Sequence, residues 1–272
     1  MNITRRTAFK GLVAASSLSL FNIGCAGFGM SRARQIAKGA KIRVALIGSS
    51  ACQSYGNKDP RLIYGWGEVL GEYFNPRVKI LNFAISGYSS KSFIEKGKWE
   101  KTLASKPHYV FITIGANDPK KDPKRHTDPE TTYRANILRF IRETRAAGAV
   151  PILVTLNQSL RWDKKNQRPD FFNGKVFRAD RAPYSEVMRS LAKTEKVPCI
   201  DLANAQQAAM EKMGLEKAVK YYRVYDLKTM KLDCFHTNLA GAHLLAGLIA
   251  EGLAKTDCPL KNELKPGGPD KK

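Results

Sequence analysis

Five short apolar runs recur along the chain, KIRVALIG, VKILNFA, HYVFITIG, VPILVTL and VPCIDL, separated by longer amphipathic stretches. The runs are continuous in apolar residues rather than alternating, which is the pattern of strands buried on both faces. Between and after them, YGWGEVLGEYF, DPETTYRANILRFIRETRAAG, APYSEVMRSLAKTE and TNLAGAHLLAGLIAEGLAK carry helical periodicity. Asp128 and Pro129 suit an N-cap and a first helical position, and Gly148 suits a helix stop. Strands alternating with helices need right-handed crossovers. The chain is therefore expected to form an α/β fold, a three-layer α/β/α sandwich around a five-stranded parallel sheet. In such a sheet, ligands collect beyond the carboxyl ends of the strands, so the loops that follow each run are the ones to search.

The start of the chain reads differently. MNITRRTAFKGLVAASSLSLFNIGCAG has a basic beginning, a mildly apolar stretch from Gly11 to Gly24 and then small residues, so residues 1–25 are expected to be an export signal. Arg5 and Arg6 followed by TAFK resemble a twin-arginine signal, which would make the twin-arginine export machinery a partner. The apolar stretch is too short to span a bilayer as a helix. Cys25 after NIG partly fits a lipoprotein cleavage site, leaving a lipid anchor open, although Asn22 stands where that pattern prefers an apolar residue. Residues 26–40 then read as a basic linker, 41–256 as the single folded domain and 257–272 as a flexible tail. The expected location is outside the cytoplasm: periplasmic, secreted or anchored at the envelope.

Removing residues 1–25 takes away three basic residues and no acids, so a net charge of +22 falls to +19. An exported basic protein suits an acidic polymer or a generic solvated surface better than nucleic acid, for which no binding motif occurs. No CxxC or Cys/His ligand spacing is present, so no metal site is expected.

The strand ends carry the chemistry. The first run leads into GSSACQSYG, where Gly48 permits a tight turn and places Ser49 and Ser50 at the sheet edge. A serine hydroxyl needs a base to take its proton, and the base needs a third group to hold its tautomer. Asp233 and His236 in DCFH suit those roles, in a turn leading into the last helix, with the carboxylate on Nδ1 and Nε2 left free. An oxyanion needs fixed donors. The N–H of Ser50, the N–H of Gly87 in NFAISGYSS and the side-chain amide of Asn117 in GAND supply them from three strand ends. Each piece alone fits a simple turn or cap; their order at successive strand ends argues for a site. With Cys52 where a second glycine would stand, GxSxG hydrolases are disfavoured.

These four blocks, GSSA, NFAISGYSS, GAND and DCFH, resemble the SGNH hydrolases in the family order. Further likeness to rhamnogalacturonan acetylesterase-like members runs through YGWGEVL, SGYSSKSFIEKGKW and RETRAAGAVPILVT, covering about residues 41 to 254. The resemblance implies a flavodoxin-like SGNH fold and a Ser-His-Asp serine esterase that needs no cofactor. It would remove acetyl groups from a carbohydrate, an acidic polysaccharide such as pectin. The family's first block is usually Gly-Asp-Ser, and Ser49 here replaces the aspartate. Aligning Gly48 selects Ser50 as nucleophile.

A lipase or acyl-thioesterase on the same fold would want apolar loops around the cleft, whereas LRWDKKNQRPDFFNGK after the fourth run is polar and basic. A non-catalytic polysaccharide-binding protein is the other alternative, kept open by Ser49. Candidate substrate contacts are Trp66, His126, Arg161 and Trp162. Cys199 reads as a small core residue, and Cys52 and Cys234, each inside a candidate catalytic block, leave a disulfide between them open.

Overall fold

The computed structural model describes residues 36–37, 39–171 and 179–269 of the 272-residue chain. The expected export signal and most of the linker lie outside the described residues. Each of the five apolar runs forms a strand: β1 (Ile42–Ile47), β2 (Val78–Asn82), β3 (Tyr109–Ile112), β4 (Val150–Val154) and, later in the chain, β7 (Cys199–Ile200). They make one five-stranded parallel sheet in the order β2-β1-β3-β4-β7. Because β1 sits between β2 and β3, the chain reverses direction of winding there, and a crevice opens at their carboxyl ends.

Both sheet faces are covered, giving the expected three layers. On one face Val44, Leu46, Phe111 and Ile152 pack with Leu245, Ile249 and Leu253 of the C-terminal helix Leu239–Ala254. On the other, Ala45, Ile47, Val110 and Ile112 pack with Ile137, Phe140 and Ile141 of helix Arg134–Ala146 and with Val187, Met188 and Leu191 of helix Ala182–Thr194. Strands whose alternate side chains both meet helices are mainly apolar on both faces, which is why the runs do not alternate; the polar exceptions Arg43 and Lys79 sit on the less buried positions of β1 and β2.

Helix boundaries follow local chemistry. Asp128 accepts from the N–H groups of Glu130 and Thr131, Pro129 sits in the first turn, and a wide turn over Pro129–Tyr133 feeds helix Arg134–Ala146. Gly148 follows the helix, donating its N–H to the Arg145 carbonyl at 2.8 Å. Strand β7 is only two residues long because Pro198 lacks an N–H before it and Asp201 after it caps helix Leu202–Met213, accepting from Asn204 N. YGWGEVLGEYF gives one α-turn, Trp66–Val69, and a 3₁₀ turn, Leu70–Tyr73, rather than a long helix.

Two antiparallel hairpins, β5–β6 (Arg161–Asp163 with Arg168–Asp170) and β8–β9 (Tyr222–Asp226 with Lys231–Thr237), were not expected from periodicity. The tail also departs from expectation. Residues 257–269 are docked rather than loose: Pro259–Glu263 forms a 3₁₀ turn, Cys258 and Leu260 are buried, and Leu264 bridges to Phe74. Glu263 accepts from Arg77 Nε at 2.7 Å, and its carbonyl accepts from Asn75 N at 2.8 Å. Two apolar anchors and an ion pair outweigh the entropy of ordering this short polar segment.

Candidate active site

Strand β1 leads straight into Gly48, whose missing side chain is required by contact. A Cβ there would lie 2.3 Å from Cys52 Sγ and 2.8 Å from Thr113 Cγ2. The turn that follows is closed by the N–H groups of Cys52 and Gln53, both donating to the Ser49 carbonyl at 3.1 Å. It buries Ser49, 2 % exposed, and turns Ser50 into a cavity of about 500 Å³. Tyr55 braces the turn by donating its hydroxyl to the Ser50 carbonyl at 2.9 Å.

Asp233 and His236 lie on strand β9, not in a turn. In a regular strand, residues three apart point to opposite faces. Here the pairing is irregular: between the pairs Tyr222–Thr237 and Val224–Leu232, strand β8 carries Arg223 alone while β9 carries Asp233, Cys234, Phe235 and His236. This bulge brings both side chains together. His236 Nδ1 is 2.8 Å from Asp233 Oδ2, and His236 Nε2 is 3.0 Å from Ser50 Oγ. Asp233 Oδ1 accepts from Phe235 N at 2.6 Å, and Oδ2 also accepts from Arg223 Nε at 2.7 Å. Burial opposes the charge on Asp233, but His236, Arg223 and the Phe235 N–H together outweigh it and hold the carboxyl well below the usual carboxylate range.

Gly87 and Asn117 line the same cavity. Gly87 follows β2 at φ +80°, with open space where a side chain would be, so backbone conformation and not crowding favours glycine there. Asn117 follows β3, is 7 % exposed, and donates one side-chain N–H to the Tyr88 carbonyl at 2.9 Å. Beside it, Asp118 is fully buried and accepts from Ser90 N, from Ser90 Oγ at 2.5 Å and from Thr127 Oγ1 at 2.8 Å. Burial, only partly offset by these bonds, pushes its carboxyl up to about 6.

The remaining wall includes Lys120, Asp180, Arg181 and Phe235. Arg181 is buried, its guanidinium 4.5 Å from the centre of the Phe235 ring, and one of its nitrogens donates to the Asn157 carbonyl. Burial, with Arg125 and Arg181 nearby, pushes the Lys120 ammonium down from its ordinary value.

The four expected substrate contacts do not line this cavity. Trp66 is a core residue, 1 % exposed, packed beneath the sheet. His126 lies exposed in the loop after β3. Arg161 is occupied within its hairpin, paired with Asp170 at 2.8 Å and donating to the Phe171 carbonyl at 2.9 Å. Trp162, on the same short strand, is 38 % exposed but stands away from the cavity. Lys120, Asp180, Arg181 and Phe235 line the cavity instead, and of these Lys120, just after GAND, and Phe235, inside DCFH, lie in or beside the blocks the sequence singled out. The described cysteines are all free. The Cys52 thiol donates to the Ser49 carbonyl and that of Cys234 to the Arg161 carbonyl, so the disulfide left open between them does not form. Among the described residues no group of three or more His, Cys, Asp or Glu could hold a metal, and no helix is long and apolar enough to cross a membrane.

Comparison with known proteins places the chain among esterase-related sequences and folds. The chain is 31% identical over 224 residues to the probable rhamnogalacturonan acetylesterase YesY of Bacillus subtilis (strain 168), covering 81% of this chain and 96% of that one. It is 30% identical over 208 residues to rhamnogalacturonan acetylesterase RhgT of the same organism, covering 74% and 84%. Among solved structures, the acetylxylan esterase Axe2 of Geobacillus stearothermophilus superposes with a TM-score of 0.56 at 20% identity, covering 79% of this chain and 95% of that one; that likeness is one of fold. The GDSL-like lipase/acylhydrolase family matches residues 46–244, and this chain is a member of it.

Proposed function

We propose that this protein is an exported serine esterase that removes O-acetyl groups from a carbohydrate, an acidic polysaccharide of the pectin or rhamnogalacturonan type. The observation that carries the reading is the chain of contacts Ser50 Oγ, His236 Nε2, His236 Nδ1, Asp233 Oδ2, with steps of 3.0 and 2.8 Å, opening on a cavity that Gly87 and Asn117 also line. The acetylesterase names of the two relatives support the acyl group and the substrate class.

In this reading Ser50 Oγ attacks the acetyl carbonyl while its proton passes to His236 Nε2. Asp233 holds the proton on Nδ1 and stabilises the imidazolium. The oxyanion takes hydrogen bonds from the N–H groups of Ser50 and Gly87 and from the second side-chain N–H of Asn117. Collapse of the intermediate breaks the bond to the sugar oxygen, which leaves with the proton from His236. Water, deprotonated by His236, then attacks the acetyl-enzyme, and acetate departs as Ser50 regains its proton. Nothing in these steps calls on a cofactor. Residues 1–25 would carry the folded chain out through the twin-arginine route, with Cys25 as the site of any lipid anchor.

The test is acetate release by the mature protein from acetylated rhamnogalacturonan, acetylated xylan and a short chromogenic acetyl ester, against Ser50→Ala. Release from the polysaccharide that disappears in the variant supports the reading; equal rates with and without the hydroxyl would end it.

A further inference from the structure

Arg223 is the one residue of β8 opposite the four-residue bulge that carries Asp233 and His236. Its Nε donates to Asp233 Oδ2 at 2.7 Å, and that same oxygen is 2.8 Å from His236 Nδ1. Both side chains of the ion pair are largely buried, at 19% and 13% exposure, where screening by solvent is weak. The guanidinium carbon also lies over the Tyr225 ring, 5.0 Å from its centre.

The geometry points to Arg223 as a positioning residue for the Asp–His pair, which fixes the catalytic carboxylate and sets the acidity at which the site switches on. This inference rests on the esterase reading above. A carboxylate alone beside an imidazole favours the imidazolium strongly; a guanidinium on the same oxygen offsets part of that field. The imidazole must be neutral to accept the proton of Ser50. By opposing imidazolium, Arg223 keeps the base available at lower pH than an isolated Asp–His pair would.

Other ionisable groups face this cluster. Tyr55 approaches Arg223 and Asp233 from the loop after β1, Cys234 flanks Asp233 on β9, and Lys120, Asp180 and Arg181 line the cavity that His236 faces. Burial pushes Tyr55 up to about 12 and Cys234 up to about 11, so both stay neutral through the acidic range. Asp118, at about 6, titrates within that range, and the comparison is therefore made among variants that all retain it.

The experiment measures kcat/KM against pH, from about pH 4 to 9, on a short acetyl ester for the wild type, Arg223→Gln and Arg223→Lys, with folding followed by thermal melting. Removing the charge should move the acid limb up by about one pH unit, so that activity near pH 5 falls about tenfold further than activity near pH 9. Lysine keeps the charge without the fixed guanidinium fork and should leave the limb where it is while kcat falls several-fold. An Arg223→Gln profile that superposes on the wild type, or falls equally at every pH, overturns the inference. If Arg223→Gln does not fold, Arg223→Met replaces it as the neutral variant, and Arg223→Lys with wild-type kcat would be sufficient to reject a positioning role. Failure of the esterase reading itself would appear separately, as wild-type hydrolysis that survives Ser50→Ala.

Discussion

Asn117 and Tyr88 are joined across the carboxyl edge of the sheet by one hydrogen bond: the side-chain amide of the first donates to the main-chain carbonyl of the second at 2.9 Å. The bond fixes the amide plane and links the loop after β3 to the one after β2, where Gly87 immediately precedes Tyr88. Two of the three proposed oxyanion donors are thereby held relative to each other. Asn117→Ala should lower kcat by about 100- to 1,000-fold, about 3 kcal/mol of transition-state stabilisation, with a small change in KM. Steady-state kinetics on a soluble acetyl ester would check this, and a loss under about threefold would remove Asn117 from the oxyanion site.

Ser49 and Ser50 are adjacent, yet the turn after Gly48 buries the first and turns the second toward His236. Ser49→Ala should therefore retain activity within a few-fold of the wild type, while Ser50→Ala loses essentially all of it. Mass spectrometry after treatment with a serine-directed acylating inhibitor should find the adduct on Ser50. An adduct on Ser49 would reverse the assignment.

Asp118 gives stability a measurable pH dependence. Its folded-state value of about 6 lies above the ordinary 3.8, so the folded protein binds more protons than the unfolded chain between these values. The stabilisation is complete below about pH 3.8 and is lost as pH rises through 6, a difference of about 3 kcal/mol. Asp233 acts in the opposite sense: depressed in the folded state, it contributes above the ordinary value and its contribution is lost on acidification. Between about pH 4.5 and 8 the Asp118 effect dominates. Chemical denaturation at these two values should find the wild type gaining about 2 kcal/mol on acidification relative to Asp118→Asn, which has no charge to bury. Parallel responses in the two proteins would contradict this account.

Leu260 is fully buried in the same apolar cluster as Leu245, Ile249 and Leu253 of the C-terminal helix, in a segment whose composition is that of a loose tail. Leu260→Ala should cost about 2 to 5 kcal/mol of unfolding free energy without altering kcat, since the site lies elsewhere. A denaturation midpoint unchanged by the substitution would mean that residues 257–269 do not dock in solution.

Periodicity made the sheet legible. Five mainly apolar runs alternating with helical stretches are the pattern of strands sandwiched between helices, and the order of residue types at their ends picked out Ser50, Gly87 and Asn117, which line one cavity. The DxxH spacing found the remaining pair but misjudged its setting, because a bulged strand and a turn bring two side chains together equally well. Short hairpins such as β5–β6 carry too few residues for a period to emerge.

The sequence by itself determined the layered sheet and which residue types could meet at its edge, since both depend on patterns within single elements. Tertiary structure decided the rest. Arg223 meets Asp233 where one strand bulges against its neighbour, Asp180 and Arg181 enter the cavity from a segment far along the chain from Ser50, and Trp66 is removed from it by packing under the sheet. Such contacts depend on how separate elements approach in space, and local residue order does not encode that distance.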